Sequence, residues 1–151
     1  MRTSRVRRLL GVLVAAAALC GCRAFHAETP EGFAAFDDWS RFRAVSPEGV
    51  TYRVRSADND PEAGLPFWRE ALKKRMLDAG YIFVSDGELK AASEPGYLLE
   101  LAAPVGQEDY TYLVAFFVKG SRLVVVEASG EVTKFRPRRA AILAAMSRIT
   151  L

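Results

Sequence analysis

With 151 residues, half of them apolar, the chain has length for one domain with its own core and is too hydrophobic to be disordered throughout. The formal net charge of +3 is unevenly placed: Arg2, Arg5, Arg7 and Arg8 stand at the start with no acid, and beyond residue 21 seventeen basic residues face eighteen acidic ones. That balance of about −1 excludes the broad basic footprint of a nucleic-acid binder.

The first predicted element is a leader. A basic start, the uncharged run Leu9 to Leu19 and small residues at its end predict a secretory signal peptide over residues 1–21. Eleven helical residues rise only ~16 Å, about half a bilayer core, so a permanent span is not expected. Arg7-Arg8 leaves twin-arginine export as an alternative to the Sec route. Leu19-Cys20-Gly21-Cys22 resembles the lipobox of bacterial lipoproteins, with leucine three places before the modified cysteine and a small residue just before it. Cys20 departs from the usual residue at its position. The resemblance implies cleavage between Gly21 and Cys22 by signal peptidase II, a diacylglycerol thioether on Cys22 and N-acylation, with palmitate-type chains. A Cys-x-Cys metal or redox pair, and ordinary cleavage that leaves Cys22 free, are the alternatives. Two or three acyl chains would anchor the protein to a leaflet without spanning it. Arg23, rather than aspartate, follows Cys22, which by the same resemblance implies the inner leaflet of the outer membrane, with the domain in the periplasm.

Residues 22–32 read as the lipidated N-terminus and a tether reaching up to ~35 Å. The sole histidine, His26, falls in it and reads as solvated. Phe33, Phe36 and Trp39 have helical spacing and predict a short helical turn. Next, "RFRAV" and "VTYRVRS" flank the turn "SPEG". Val50, Tyr52 and Val54 alternate with Arg53 and Arg55, and Arg41 and Arg43 repeat that spacing, so a four-arginine sheet face is predicted. Such a face suits phosphate or lipid headgroups; local acids pairing with it are the plainer reading. Asp58, Asp60 and Glu62 begin like a calcium loop, but Ala63 and Arg69 stand where glycine and glutamate are needed, so no metal site is expected.

"LPFWREALKKRMLDAGY" is the clearest helix, with Leu65, Trp68, Leu72, Met76 and Ala79 in one apolar stripe and Gly80 as its stop. Trp68 is expected in the core; half exposed, it would instead be a candidate for partner binding. "YIFV" predicts a strand and "SDGELKAASEPG" a turn-rich connection. Three further strands follow, the last two a hairpin about "KGS", and their nearly continuous apolarity marks the sheet centre. Ile142, Ala145, Met146 and Ile149 predict a closing helix after Pro137.

Residues 33–151 thus predict a single α+β domain, a two-layer sandwich with two main helices packed on one face of an antiparallel sheet. The stretch from Tyr112 to the closing helix resembles the C-terminal half of PsbP/Mog1-like (DcrB-like) domains, which implies a non-enzymatic accessory or binding role. No histidine or thiol is placed to serve a nucleophile, and no phosphate-cradling or metal-protease motif is present in the sequence. Catalytic residues and cofactors are therefore not expected; Glu100 and Glu127, embedded in apolar strands, are the carboxylates to inspect. The expected function is a membrane-anchored envelope lipoprotein that binds an envelope protein partner, with a lipid or small-ligand carrier and a periplasmic hydrolase as alternatives.

Overall fold

The computed structural model describes residues 25–38, 41–91 and 94–151. The expected leader, Gly21, Cys22 and Trp39 lie outside the described residues. In chain order the elements are β1 (Ala34–Asp38), β2 (Arg41–Val45), β3 (Thr51–Asp58), α1 (Leu65–Asp78), β4 (Ile82–Ala91), β5 (Glu94–Val105), β6 (Glu108–Lys119), β7 (Arg122–Glu131), α2 (Val132–Phe135), a 3-10 turn (Arg136–Arg138) and α3 (Arg139–Ser147). All seven strands join one sheet in the order β1-β2-β3-β7-β6-β5-β4, with every neighbour antiparallel. The fold is α+β, as the sequence predicts.

Local chemistry closes the hairpins. Between β2 and β3 the Gly49 N–H donates to the Ser46 carbonyl at 3.0 Å, and the Ser46 hydroxyl accepts from Val50 N at 3.1 Å. Gly49, at φ 89°, supplies the left-handed backbone that this reversal needs. The β6–β7 strands meet in register from Tyr110–Glu131 to Lys119–Arg122, around the predicted turn.

The two main helices lie on opposite faces of the sheet, which corrects the expected one-sided sandwich. Leu113, Ala115 and Phe117 of β6 join Val124, Val126 and Ala128 of β7 in a core with Ile142, Ala145 and Met146 of α3. The intervening side chains point the other way: Phe116 joins Tyr97, Leu99 and Leu101 in a second core, against which Leu65, Trp68, Leu72 and Met76 of α1 pack. The central strands are apolar on both sides because each side carries a helix. The α1 stripe is real but shallow, since no α1 residue is fully buried. A polar clamp adds to it: Asp86 of β4 accepts from Tyr97 Oη at 2.7 Å and Lys73 Nζ at 3.1 Å. The Tyr97 hydroxyl first, then the Lys73 ammonium, holds the Asp86 carboxyl below the usual carboxylate range.

Three further expectations change. Residues 34–38 form the edge strand β1 rather than a helical turn, because they pair with β2 across five residues in register, and Phe36 is exposed. The connection after "YIFV" is mostly strand: β4 runs on to Ala91 past a register shift between Phe83 and Ser85, as an edge strand along which Ser85, Glu88 and Lys90 face water. The expected tether is folded from Phe25 on. His26 N donates to the Thr150 carbonyl at 2.8 Å, Thr150 N returns a bond at 3.1 Å, Phe25 and Ala27 pack on the α3-side core, and Glu28 pairs with Arg148 at 2.6 Å.

Candidate functional site

On the α1 side of the sheet the helix covers β5 and β6, and among the described residues no helix covers the β1–β2–β3 half. Strand register decides what paves that half. Arg43 stands opposite Arg53, and Arg41 opposite Arg55, so the four predicted arginines do share one face. Arg53 in turn stands opposite Glu127 of β7. Like charges directly opposed across a strand pair are unfavourable. One carboxylate organises two of them: Glu127 Oε2 accepts from Arg53 Nε at 3.1 Å and from Arg55 Nε at 3.3 Å. Its other oxygen, Oε1, accepts a short hydrogen bond from Tyr112 Oη.

Glu127 is 8% exposed, whereas the side chains of Arg53 and Arg55 are 46% and 42% exposed and keep contact with water. The pairing is therefore a positioning device, and its stability contribution is discounted for solvent screening. Burial pushes the Tyr112 phenol well above its ordinary range, and its bond to Glu127 adds to that shift, so Tyr112 remains a proton donor at any physiological pH. Between these groups and the exposed Phe36 lies a recess of about 320 Å³, which Thr51 and Ser129 also line. Arg43 borders it, and its Nε is buried without a hydrogen-bond acceptor among the described residues. Such a recess can grip an anion. Its only carboxylate among the described lining residues is already engaged.

The other singled-out residues lie apart. Glu100 of β5 pairs with Arg139 of α3 at 2.7 Å and stands opposite Leu113, on the α3 side. Glu127 stands opposite Val114, on the other side of the sheet, so the two carboxylates cannot act on one bond. Asp58 is paired with Arg122 at 2.9 Å. The loop after it is organised by buried Asn59, whose amide donates to the carbonyls of Ala63 and Gly120 at 3.1 and 2.9 Å. Among the described residues no group of three His, Cys, Asp or Glu side chains could hold a metal ion.

Trp68 is half-buried and donates Nε1–H to Asn59 Oδ1 at 2.7 Å, tying the first turn of α1 to that loop. This is neither the full core position expected nor an unengaged docking residue. Trp68→Ala is expected to cost ~2 kcal/mol, below the ~3–5 kcal/mol of a fully buried aromatic, and Trp68→Phe ~1 kcal/mol. Urea melts check both. A loss above ~3 kcal/mol for alanine would return Trp68 to the core. Beside it an open groove of about 360 Å³ runs between α1 and the sheet, lined by Leu72, Phe116, Leu123 and Val125 among others.

What the site lacked in the sequence was its centre. Arginine alternation pointed to the face, but the partnership of Tyr112 and Glu127 with β3 depends on β7 lying between β3 and β6, an order that no local spacing encodes.

No protein-family model matches the chain, and no curated protein does. Solved structures do resemble it. LpqN of Mycobacterium tuberculosis, described as involved in cell envelope biogenesis, superposes with a TM-score of 0.64 at 13% identity, over 83% of this chain and 82% of its own. A protein of unknown function from Pseudomonas aeruginosa gives 0.63 at 8% identity, over 80% and 97%. The cyanobacterial PsbP of Synechocystis sp. PCC 6803 gives 0.60 at 11%, over 84% and 86%. At these identities the likeness is one of fold, and it agrees with the PsbP-like resemblance of the C-terminal half.

Proposed function

We propose that this chain is a lipid-anchored envelope protein that binds a partner and does not transform it. The observation that carries the non-catalytic part is the Glu127 cluster. Its carboxylate is held by two guanidiniums and a phenol, which suits recognition, whereas a general base needs a carboxylate left accessible to a substrate proton. The lipobox-like Leu19-Cys20-Gly21-Cys22 supports acyl attachment at Cys22. Fold likeness to an envelope-biogenesis protein is in keeping with that setting. Among the described residues no helix is long and apolar enough to cross a membrane. The membrane contact we propose, on the strength of the lipobox-like motif, is acyl, on the inner leaflet of the outer membrane, with the domain in the periplasm near envelope protein partners.

Sucrose-gradient fractionation of a Gram-negative host is expected to recover the protein with outer-membrane markers, resistant to a high-salt wash. Recovery with inner-membrane markers would overturn the leaflet, and release by salt would overturn the anchor. A small-ligand carrier is the second reading, favoured by the apolar groove beside α1.

A further inference from the structure

We infer that the arginine recess on the open half of the sheet is a binding site for a phosphomonoester, the group shared by a phosphatidic-acid-type lipid headgroup and a small soluble phosphate ester. The inference deepens the binding reading above and rests on it. Among the described residues, Arg43, Arg53 and Arg55 share this part of the face with one carboxylate, Glu127, so two positive charges there are uncompensated. A phosphomonoester carries about −1.5 to −2 at neutral pH and matches that excess; a phosphodiester or carboxylate supplies only one charge.

Donor geometry points the same way. Arg53 and Arg55 each give Glu127 only their Nε–H, and among the described residues nothing accepts from their Nη groups. Arg43 Nε is buried without an acceptor among the described residues. Two guanidiniums, those of Arg43 and Arg53, line the recess, and Arg55 adjoins it through the shared Glu127 carboxylate; such a cluster suits the several terminal oxygens of a phosphate. The recess, about 320 Å³, admits a headgroup-sized ester, and Phe36 at its rim, 51% exposed, offers an apolar surface to the ester's carbon chain. A buried donor without an acceptor is costly. An incoming oxyanion would remove that cost, which gives the binding a driving force beyond net charge.

The full chain in detergent micelles is titrated calorimetrically with glycerol 3-phosphate, dihexanoyl phosphatidic acid and dimethyl phosphate. Saturable binding of either monoester, with dimethyl phosphate at least about tenfold weaker, is expected. Arg43→Gln and Arg53→Gln should each weaken binding about tenfold or more, while Lys134→Gln, on α2, leaves it unchanged. Binding of phosphatidic acid alone identifies a lipid headgroup, of glycerol 3-phosphate alone a soluble ester, and of both the shared phosphate; all three support the site. No saturable binding, equal binding of dimethyl phosphate, or wild-type affinity in folded Arg53→Gln overturns it. Should the arginine variants unfold, chemical-shift changes in the wild-type chain decide: shifts at Phe36 and Tyr112 support the site, and shifts confined elsewhere overturn it. Release of inorganic phosphate from bound glycerol 3-phosphate would overturn the non-catalytic reading and leave the site standing. Failure to bind would remove the site and leave the anchoring intact.

Discussion

Phe117→Ala is expected to cost ~3–5 kcal/mol, a large share of the ~5–15 kcal/mol that holds a typical domain together. Phe117 is fully buried on the α3 side of β6, where the sheet's larger core gathers. Its ring occupies space that only glycine leaves open: Gly96 stands opposite it in β5, and a Cβ built on Gly96 would overlap the ring and come within 3.0 Å of the Leu89 carbonyl. Gly96→Ala is therefore expected to cost ~1–3 kcal/mol by overpacking. The two changes should not add, because removing the ring frees the volume that the methyl needs. Urea melts of both single variants and the double variant measure this. A loss below ~1 kcal/mol for Phe117→Ala, or strict additivity in the double variant, would contradict the packing.

Cys22→Ser is expected to abolish lipid labelling and to block cleavage after Gly21, an all-or-none change, because serine cannot form the thioether that lipobox processing requires. Cys20→Ser should leave both nearly intact, since Leu19 would otherwise occupy the small position before the modified residue. Metabolic labelling with palmitate, read beside the size of the processed chain, distinguishes the two cysteines. Label retained in the Cys22 variant and lost in the Cys20 variant would reassign the anchor. A processed but unlabelled wild-type chain would instead favour ordinary cleavage with a free thiol.

Much of the fold was legible because its signals are local. The turn at Ser46–Gly49, the Leu65-Trp68-Leu72-Met76 stripe and the β6–β7 hairpin each follow from residues within reach of one another. The face to which a helix docks is not local, and the stripe of α1 says only that it has one. A clue was present in "YTYLVAFFV", where Phe116 and Phe117 are both buried, on opposite sides of β6. A strand covered on one face would alternate; this one does not, and a helix on each side is the physical reason. β1 was misread because Phe33 and Phe36 happen to be three residues apart, whereas pairing with β2 settles the backbone. The arginine face was readable from alternation within β2 and β3, and its glutamate and tyrosine were not, since they arrive through β7 and β6.

The docking of Phe25 and His26 changes the scale on which the protein works. With the proposed anchor on Cys22, two residues, Arg23 and Ala24, separate the acylated cysteine from Phe25, the first residue packed on the core, a leash of at most ~10 Å. A domain of this size has a radius of gyration of ~14 Å, larger than its own leash. Under the proposed acyl anchor the domain would therefore ride on the headgroup layer instead of sweeping the space above it, and its search for a partner would run in two dimensions. A partner of a domain so anchored would itself have to sit in, or descend to, that same thin layer, where a shared surface raises the local concentration of both without adding a single contact.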